Sequence, residues 1–373
     1  MHQDSSSAPV FLGGLTRPNL NWLLALVPAG MVMDAMEVNA IYVFLVSALS
    51  IIPLGKLIGE ATEVLSDYLG PTLGGLLNAT LGNAPEIIIG YFALKQGLVD
   101  MVKASITGSI LGNLLFGLGL AILASGRRHR NQFLRYDNDA LQVHIGLLRL
   151  AMFGMIIPAV FDFSTDSEKE ISVEISSVLL GIYVMSIVAT FFPDQPSSDS
   201  DDDLEIMRMD EVTEEPEASW SRQKALVILA SATIALAFMS EMMTDSITPF
   251  ASKLGFTPVF MGVFLMALLG NAAEMMNAVG FVLKRDQLDL ALAVMLGASS
   301  QMALMVAPTL VFLGMYLGKS MNLLFSNYEL LAIIMTVTTV SDIIAKGRMK
   351  PKVGIIFIAL YMMLGIGFYN SPL

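Results

Sequence analysis

The sequence contains no cysteine and only three histidines among its 373 residues. The lack of cysteine excludes disulfides, thiolate metal sites and cysteine nucleophiles together. Charged residues are also scarce, at 14%, whereas a typical soluble domain has about 25%. Apolar residues, in contrast, make up 55% of the chain. This composition predicts an all-α polytopic membrane protein surrounded by a lipid bilayer.

The net charge of −12 is concentrated in one segment. Between Asp194 and Glu217, eleven acidic residues stand against Arg208 alone, so this stretch carries −10. Nucleic-acid binding requires basic surface, so no nucleic-acid partner is expected. We interpret 194–221 as an acidic linker, which serves either as a solvated connection or as a region that accumulates or senses cations.

Eleven apolar runs follow a polar amino-terminal tail, residues 1–19, and most reach the roughly 20 residues that a transmembrane helix requires. The first, assigned to 20–37, is short and is interrupted by Pro28. The runs therefore predict about eleven transmembrane helices. They lie near 20–36, 38–59, 72–94, 98–125, 140–160, 171–192, 223–247, 257–283, 287–316, 321–345 and 352–369.

Basic residues are concentrated in three of the loops between these runs. By the positive-inside rule, these loops face the cytoplasm, together with the amino terminus and the acidic linker, while the carboxyl terminus faces outward. The basic residues are Arg127, Arg128, Arg130 and Arg135 after run 4, Lys284 and Arg285 after run 8, and Lys346, Arg348, Lys350 and Lys352 after run 10.

A six-residue motif occurs twice. Leu-Gly-Asn-Ala-Pro-Glu ends at Glu86, and Leu-Gly-Asn-Ala-Ala-Glu ends at Glu274, 188 residues later. With the first helix set aside, 38–193 and 222–373 form two five-helix repeats, and an odd number of spans per repeat makes the two repeats inverted. Inverted repeats with a site between them are typical of secondary transporters.

Each motif places a glutamate inside an apolar run, where an ionised side chain costs at least ~2.5 kcal/mol. Asn83 and Asn271 precede these glutamates by three residues and share their helical face. A step of 27 residues forward from Glu86 and Glu274 reaches two further amides, Asn113 and Gln301. Pro85 removes one hydrogen bond from its helix and is expected to open the backbone there.

These residues predict one site for a hard cation, because carboxylate and amide oxygens are the ligands that calcium prefers. Glu86 and Glu274 are the predicted metal ligands, and Ser109, Ser299 and Ser300 are further candidates. Two buried carboxylates bind either a divalent cation or protons, and these states exclude each other. The alternative is that the glutamates are polar contacts between helices.

Four other acidic residues, Glu60, Glu63, Glu241 and Asp245, lie near the ends of apolar runs at helical spacing. They are candidates for an ion-access pathway, and a solvated helix face is the competing interpretation.

The sequence resembles the calcium/proton antiporter (cation/proton exchanger) family of the calcium/cation antiporter superfamily. The resemblance rests on Gly82–Glu86, on Gly108-Ser109 with Asn113, on Gly270–Glu274, and on Gly297 with Gln301. It implies eleven helices, exchange of Ca²⁺ for H⁺, a shared calcium and proton site at the two motif glutamates, and a cytoplasmic acidic segment with a regulatory role. The family's second motif commonly continues with histidine, whereas Met275 stands here.

We therefore expect an alternating-access antiporter of Ca²⁺ and H⁺ that is not an enzyme and needs no cofactor. The alternatives are a sodium/calcium, manganese or potassium exchanger of the same superfamily, an intramembrane carboxylate enzyme, and a gated cation channel. A prokaryotic cell membrane is the favoured location, with a vacuolar membrane as the alternative. A homo-oligomer is left open.

Overall fold

The computed structural model describes residues 20–127, 132–162, 168–189 and 220–371. These residues are almost entirely helical, which confirms the predicted all-α class. The α-helices are α1 (Leu26–Ala35), α2 (Ala40–Leu81), α3 (Ala84–Lys95), α4 (Val99–Leu111), α5 (Leu118–Gly126), α6 (Asn138–Asp162), α7 (Glu168–Ala189), α8 (Arg222–Leu254), α9 (Pro258–Phe260), α10 (Ala267–Gly270), α11 (Ala272–Gly280), α12 (Leu288–Gln301), α13 (Ala307–Tyr316), α14 (Asn327–Ile344) and α15 (Lys352–Tyr369).

Short segments of other geometry connect several of these helices. A 3₁₀ turn, Leu20–Ala25, precedes α1. Two strands, β1 (Leu134–Arg135) and β2 (Arg348–Met349), pair in antiparallel orientation. Four π-helical segments continue or precede α-helices: Gly112–Gly117, Met261–Met266, Phe281–Arg285 and Met302–Val306.

Of the described residues, eight helices are long and apolar enough to cross a membrane. A ninth span consists of Pro258–Gly270 and Ala272–Arg285, which are bent by 51°. The first predicted span is a shorter apolar helix, Asn21–Ala35, and the predicted run 72–94 is shared between the end of α2 and α3. The count of eleven therefore stays a prediction. The acidic linker and the amino-terminal tail lie mostly outside the described residues.

The second span is longer than predicted. Its apolar run was expected to end near residue 59, but the helix continues to Gly70 because Val64 and Leu65 are buried against Ala225 of α8. Gly70 then adopts φ +77°, a conformation that costs glycine little. The chain therefore bends inside α2 without a separate loop, and the Ser66 hydroxyl donates across the bend to the Gly74 carbonyl oxygen at 2.9 Å.

Both copies of the repeated motif break their helix. α2 ends at Leu81 and α3 begins at Ala84, while α10 ends at Gly270 and α11 begins at Ala272. The asparagines at the two breaks have nearly the same backbone angles, φ −97° and ψ 14° at Asn83 and φ −87° and ψ 4° at Asn271. The expectation for Pro85 was wrong in its detail. Pro85 lies in the first turn of α3, where its missing N–H removes no helical hydrogen bond.

The two halves of the chain are held together by close helix crossings. α2 packs along α8, and the π-helical segment Met261–Met266 packs along α4. A Cβ atom at Gly108 would overlap the backbone of Val263, and one at Gly262 would overlap the backbone of Met101. Glycine at these two positions is what permits the close approach.

Candidate functional site

The two motif glutamates lie at helix amino termini. Glu86 is in the first turn of α3, and Glu274 is in the first turn of α11. The backbone N–H groups of a first turn carry partial positive charge, which stabilises a carboxylate. Glu86 is only 8% exposed, whereas Glu274 is partly exposed as a residue but has a buried Oε2. Each helix break therefore supplies a polar environment for a carboxylate within the membrane-spanning region.

Glu86 of the first half lies against the motif of the second half. A Cβ atom at Gly270 would be 3.3 Å from Glu86 Oε1, so the glycine leaves space for the carboxylate. The Glu86 and Glu274 carboxylates are also close enough to repel each other electrostatically. The fold thus brings together two acidic side chains that are 188 residues apart in the sequence.

The four predicted amides pair across the two halves. Asn83 Nδ2 donates to Gln301 Oε1 at 2.6 Å, and Asn113 Nδ2 donates to Asn271 Oδ1 at 2.9 Å. Because Asn83 corresponds to Asn271 and Asn113 corresponds to Gln301, these two contacts are equivalents of each other. Such reciprocal contacts are what a two-fold relation between halves produces.

The amides on the neighbouring helices lie where the helix type changes. Asn113 is the second residue of the π-helical segment Gly112–Gly117, and Gln301 directly precedes the π-helical segment Met302–Val306. Short π-helical segments inside α-helices are frequent at functional sites. This local geometry appears in both halves at matched positions.

The three predicted serines differ in their contacts. Ser109 Oγ accepts a hydrogen bond from Asn271 Nδ2 at 2.8 Å and so belongs to the amide cluster. The hydroxyl groups of Ser299 and Ser300 instead donate to carbonyl oxygens of their own helix, those of Met295 at 2.8 Å and Leu296 at 2.9 Å. The structure joins Ser109 to the cluster directly and leaves Ser299 bonded within α12. The Ser300 hydroxyl also reaches the carbonyl oxygen of His144 in α6 at 3.5 Å.

Three oxygen atoms of this cluster are buried without a hydrogen-bond partner: Glu86 Oε2, Glu274 Oε2 and Asn113 Oδ1. A buried acceptor left unsatisfied costs roughly 1–3 kcal/mol. Among the described residues, no three acidic, histidine or cysteine side chains form a metal-binding group. A cation at this cluster would therefore be held by two carboxylates and by neutral oxygens, a donor set suited to a hard ion.

A small cavity adjoins Glu86. Its volume of about 10 Å³ is close to that needed for one water molecule. Ser105, which the sequence did not single out, lies on this cavity one helical turn before Ser109. The spacing of four residues between these serines was the available signal. The cavity is lined by Glu86, Ile89, Ser105, Ser109, Met266, Gly270, Met302, Val306 and Leu310.

Tyr361 is a second residue that the sequence did not indicate. Its hydroxyl group is buried without a hydrogen-bond partner and would be 3.9 Å from a Cβ atom at Gly112, next to Asn113. Met275, at the position following Glu274, also packs against Gly112. A tyrosine within an otherwise apolar terminal span was the only sequence signal for this position.

The four residues considered for an access pathway have other partners in the structure. Lys95 Nζ contacts Glu241 Oε1 at 2.6 Å, and Gln96 donates to Asp245, so both acids join the end of α3 to α8. Glu60 pairs with Lys56 one turn earlier at 3.2 Å, and Glu63 is partly buried on the same helix. Their assignment to an access pathway stays a prediction.

The family model described as "Sodium/calcium exchanger protein" matches residues 39–192 and 224–369. The chain belongs to this family. The two matched ranges coincide closely with the two halves that carry the repeated motif, and the unmatched stretch between them contains the acidic linker.

Members of the family with similar sequences come from bacteria and from plants. The chain is 34% identical to the Ca(2+)/H(+) antiporter of Synechocystis over 342 residues, 88% of this chain and 91% of that protein. It is 34% identical to the Ca(2+)/H(+) antiporter ChaA of Bacillus subtilis over 92% of this chain and 96% of that protein. It is 33% identical to the vacuolar cation/proton exchanger 3 of Oryza sativa over 94% of this chain and 85% of that protein.

Solved structures extend the likeness to the fold. Native YfkE superposes with a TM-score of 0.80 at 31% identity, covering 94% of this chain and all of that one. An H⁺/Ca²⁺ exchanger structure, CAX, gives a TM-score of 0.70 at 15% identity over 94% of this chain and 91% of that one, which shows the shared fold alone.

Proposed function

We propose that this member of the family exchanges Ca²⁺ for H⁺ across a membrane, with Glu86 and Glu274 as a shared calcium and proton site. The observation that carries the proposal is the pair of buried carboxylate oxygens, Glu86 Oε2 and Glu274 Oε2, that have no hydrogen-bond partner. The printed names of the bacterial relatives, which are Ca(2+)/H(+) antiporters, support the same assignment.

The chemistry of exchange follows from competition at this pair. Ca²⁺ requires both carboxylates in their ionised form, and binding therefore releases any protons that they carry. Without a divalent cation, the mutual repulsion of the two carboxylates favours proton uptake. The four amide side chains add neutral oxygens only: Asn83, Asn113, Asn271 and Gln301. The charge of the site therefore depends on the two glutamates, which alone decide between Ca²⁺ and protons.

Alternating access is supported by an asymmetry between the two broken spans. The half-helix that leads to Glu274, which includes Met261–Met266, packs against α4. The corresponding half-helix that leads to Glu86, residues 71–81, has Leu73 54% and Leu76 42% exposed. In the predicted topology the packed half-helix is on the outer side and the exposed one is on the cytoplasmic side. We infer that the outer half-helix is the more firmly packed of the two in this state.

In this proposal the transporter consists of two inverted repeats, 38–193 and 222–373, which the cytoplasmic linker 194–221 joins. Calcium and protons are the transported substrates. The proposed location is a prokaryotic cell membrane, because the loops between the spans are compact, and a vacuolar membrane is the alternative.

The proposal is tested by calcium uptake into proteoliposomes that carry an imposed pH gradient. Wild-type protein is expected to drive uptake that stops when the gradient collapses, and Glu86→Gln and Glu274→Gln are expected to abolish it. Glu174→Gln, which removes an exposed carboxylate of α7, is the matched control and should transport normally. Uptake that survives both motif substitutions would exclude the shared site.

The counter-ion is tested in the same vesicles by imposing a sodium gradient without a pH gradient. The family description names sodium/calcium exchange, so this arm addresses the nearest competing function. Uptake driven by sodium and indifferent to pH would replace the proton assignment with a sodium one.

A further inference from the structure

We propose that the two-stranded ribbon β1–β2 binds the phosphate of an anionic phospholipid of the cytoplasmic leaflet. The ribbon joins two loops that are far apart in the sequence, because Leu134 pairs with Met349 and Arg135 pairs with Arg348. Directly paired residues of an antiparallel ladder share a face. Leu134 and Met349 are accordingly both buried, and Arg135 and Arg348 are both exposed.

The solvent-exposed face of the ribbon carries two positive charges directly opposite each other. Like charges directly opposite each other destabilise a strand pair, yet Arg135 and Arg348 occupy such a position. Among the described residues, no carboxylate forms an ion pair with Arg135, Arg348 or Lys350. An external anion between the arginines would remove the repulsion.

An exposed aromatic ring completes this face. Phe133 is 51% exposed, with the Arg348 guanidinium 5.3 Å and the Lys350 ammonium 5.0 Å from its ring centroid. Two arginines can bind one phosphate in bidentate fashion. We call this surface the ribbon face. It has three exposed cations, of which two lie over one ring, and it consists of Phe133, Arg135, Arg348 and Lys350.

The position of the ribbon face relative to the membrane indicates a lipid as the source of the phosphate. Two spans end next to it, at Gly126 and Ile344, and two begin next to it, at Leu141 and Lys352. Basic residues immediately cytoplasmic of membrane spans lie within reach of anionic lipid headgroups. Ile355 and Ile356, the fourth and fifth residues of α15, are exposed and offer an apolar surface for acyl chains about one turn into the bilayer.

The ribbon itself is well anchored to the helices, so the face is a fixed structure. The Tyr136 hydroxyl donates to the carbonyl oxygens of Ile343 at 3.2 Å and Ile344 at 3.1 Å. Burial raises the pKa of Tyr136 to about 12, so the hydroxyl keeps its proton at physiological pH. The residue after β1 is thereby tied to the end of α14, and its backbone N–H also donates to the Gly347 carbonyl oxygen at 3.4 Å, directly before β2.

The experiment titrates phosphatidylglycerol and, separately, phosphatidylcholine into the purified full-length chain and counts bound lipids by native mass spectrometry. Wild-type protein is expected to retain phosphatidylglycerol selectively. Arg135→Gln with Arg348→Gln should weaken this binding by about fivefold for each arginine neutralised. Arg135→Lys with Arg348→Lys keeps the charge but loses bidentate geometry, and an intermediate loss is expected.

The matched control is Arg222→Gln, which removes an exposed cation at another span end on the same side. An equal loss of phosphatidylglycerol binding in this control would show that any surface cation has the same effect, and it would overturn the proposal. Unchanged binding in the double glutamine variant would overturn it as well. Complete displacement of phosphatidylglycerol by inorganic phosphate on wild-type protein would identify a free anion as the ligand and also overturn it.

A further experiment tests whether the arginines of the ribbon face bind a lipid or the acidic linker of the same chain. In protein whose acidic residues within 194–221 are replaced by their amides, phosphatidylglycerol binding should persist and should still depend on Arg135 and Arg348. Loss of that dependence would mean that the arginines serve the linker, and the lipid assignment would fail.

Discussion

The asparagines at the two helix breaks occupy positions where this residue normally caps a helix. An asparagine at the N-cap usually accepts a hydrogen bond from a backbone N–H of the first turn. Neither Asn83 nor Asn271 makes such a side-chain cap. Their side chains instead contact Gln301, Asn113 and Ser109. The local helix-capping interaction is thus given up in favour of contacts between the two halves.

The Gln301→Asn substitution tests the cross-half pair that contains the longer amide side chain. Asparagine is one methylene shorter, so it cannot reach Asn83 as Gln301 does at 2.6 Å. Loss of one hydrogen bond is worth about 1 kcal/mol, which corresponds to roughly fivefold weaker apparent calcium affinity in a ⁴⁵Ca binding assay.

Ser299→Ala is the control for that substitution, because the Ser299 hydroxyl donates within its own helix and its loss should leave affinity nearly unchanged. Equal affinities for Gln301→Asn and wild type would remove the amide pair from the site.

At one helix crossing the two backbones are in direct contact, and glycine is required there because any side chain would overlap the neighbouring element. Gly108 of α4 and Gly262 of the opposite half each lie against backbone atoms of the other element. This crossing fixes the half of the broken span that precedes Glu274, which the predicted topology places on the outer side. Packing of small residues is the main contribution available between helices inside a membrane, because lipid is as apolar as the helices themselves.

Gly108→Ala is therefore expected to destabilise the protein by about 1–3 kcal/mol, the usual cost of an overpacked core position. The thermal midpoint in detergent should fall, and transport should decline because the outer half-helix no longer docks. Gly146→Ala on α6 is the matched control, since a Cβ atom there meets nothing within 4 Å. Alanine should raise the midpoint or leave it unchanged at this position. Equal shifts for the two variants would contradict the proposed role of the crossing.

The molecule as a whole combines pseudo-symmetric contacts at its centre with asymmetric packing at its two sides. The amide pairs Asn83–Gln301 and Asn113–Asn271 are equivalent, whereas the two half-helices that lead to the glutamates are packed on one side and exposed on the other. A central site between two related halves that pack differently is what inverted repeats provide for alternating access.

Calcium affinity of the whole protein is expected to fall as pH falls. Glu86 and Glu274 must lose their protons to bind Ca²⁺, so acidification favours the protonated, calcium-free form. Below the pH at which the site titrates, the apparent dissociation constant should rise by up to about tenfold per pH unit for each proton displaced.

Equilibrium ⁴⁵Ca binding at several pH values measures this slope, and a pH-indicator dye in weakly buffered solution counts the protons released. Glu174→Gln should reproduce the wild-type slope. Calcium affinity that is independent of pH, with no proton release, would contradict competition at one site.

The sequence alone determined the membrane class and the two acidic residues at the centre of the proposal. Both signals are local: long apolar runs report burial in lipid, and a carboxylate within such a run is visible without any structure. The positions at which the helices end were harder to predict from the sequence. The apolar run predicts that the second span ends near residue 59, but the packing of Val64 and Leu65 against α8 carries the helix on to Gly70.

Only the tertiary structure decided how the predicted residues meet. The motif spacing suggested a shared helical face for each Asn and Glu, whereas both helices break at the asparagine, so each glutamate lies in a new first turn. The pairing of Asn83 with Gln301, the cavity beside Ser105 and the opposition of Arg135 to Arg348 join residues from distant parts of the chain or from different helices. Such contacts depend on how helices cross and where backbones approach, and a periodic pattern within one helix carries no information about either.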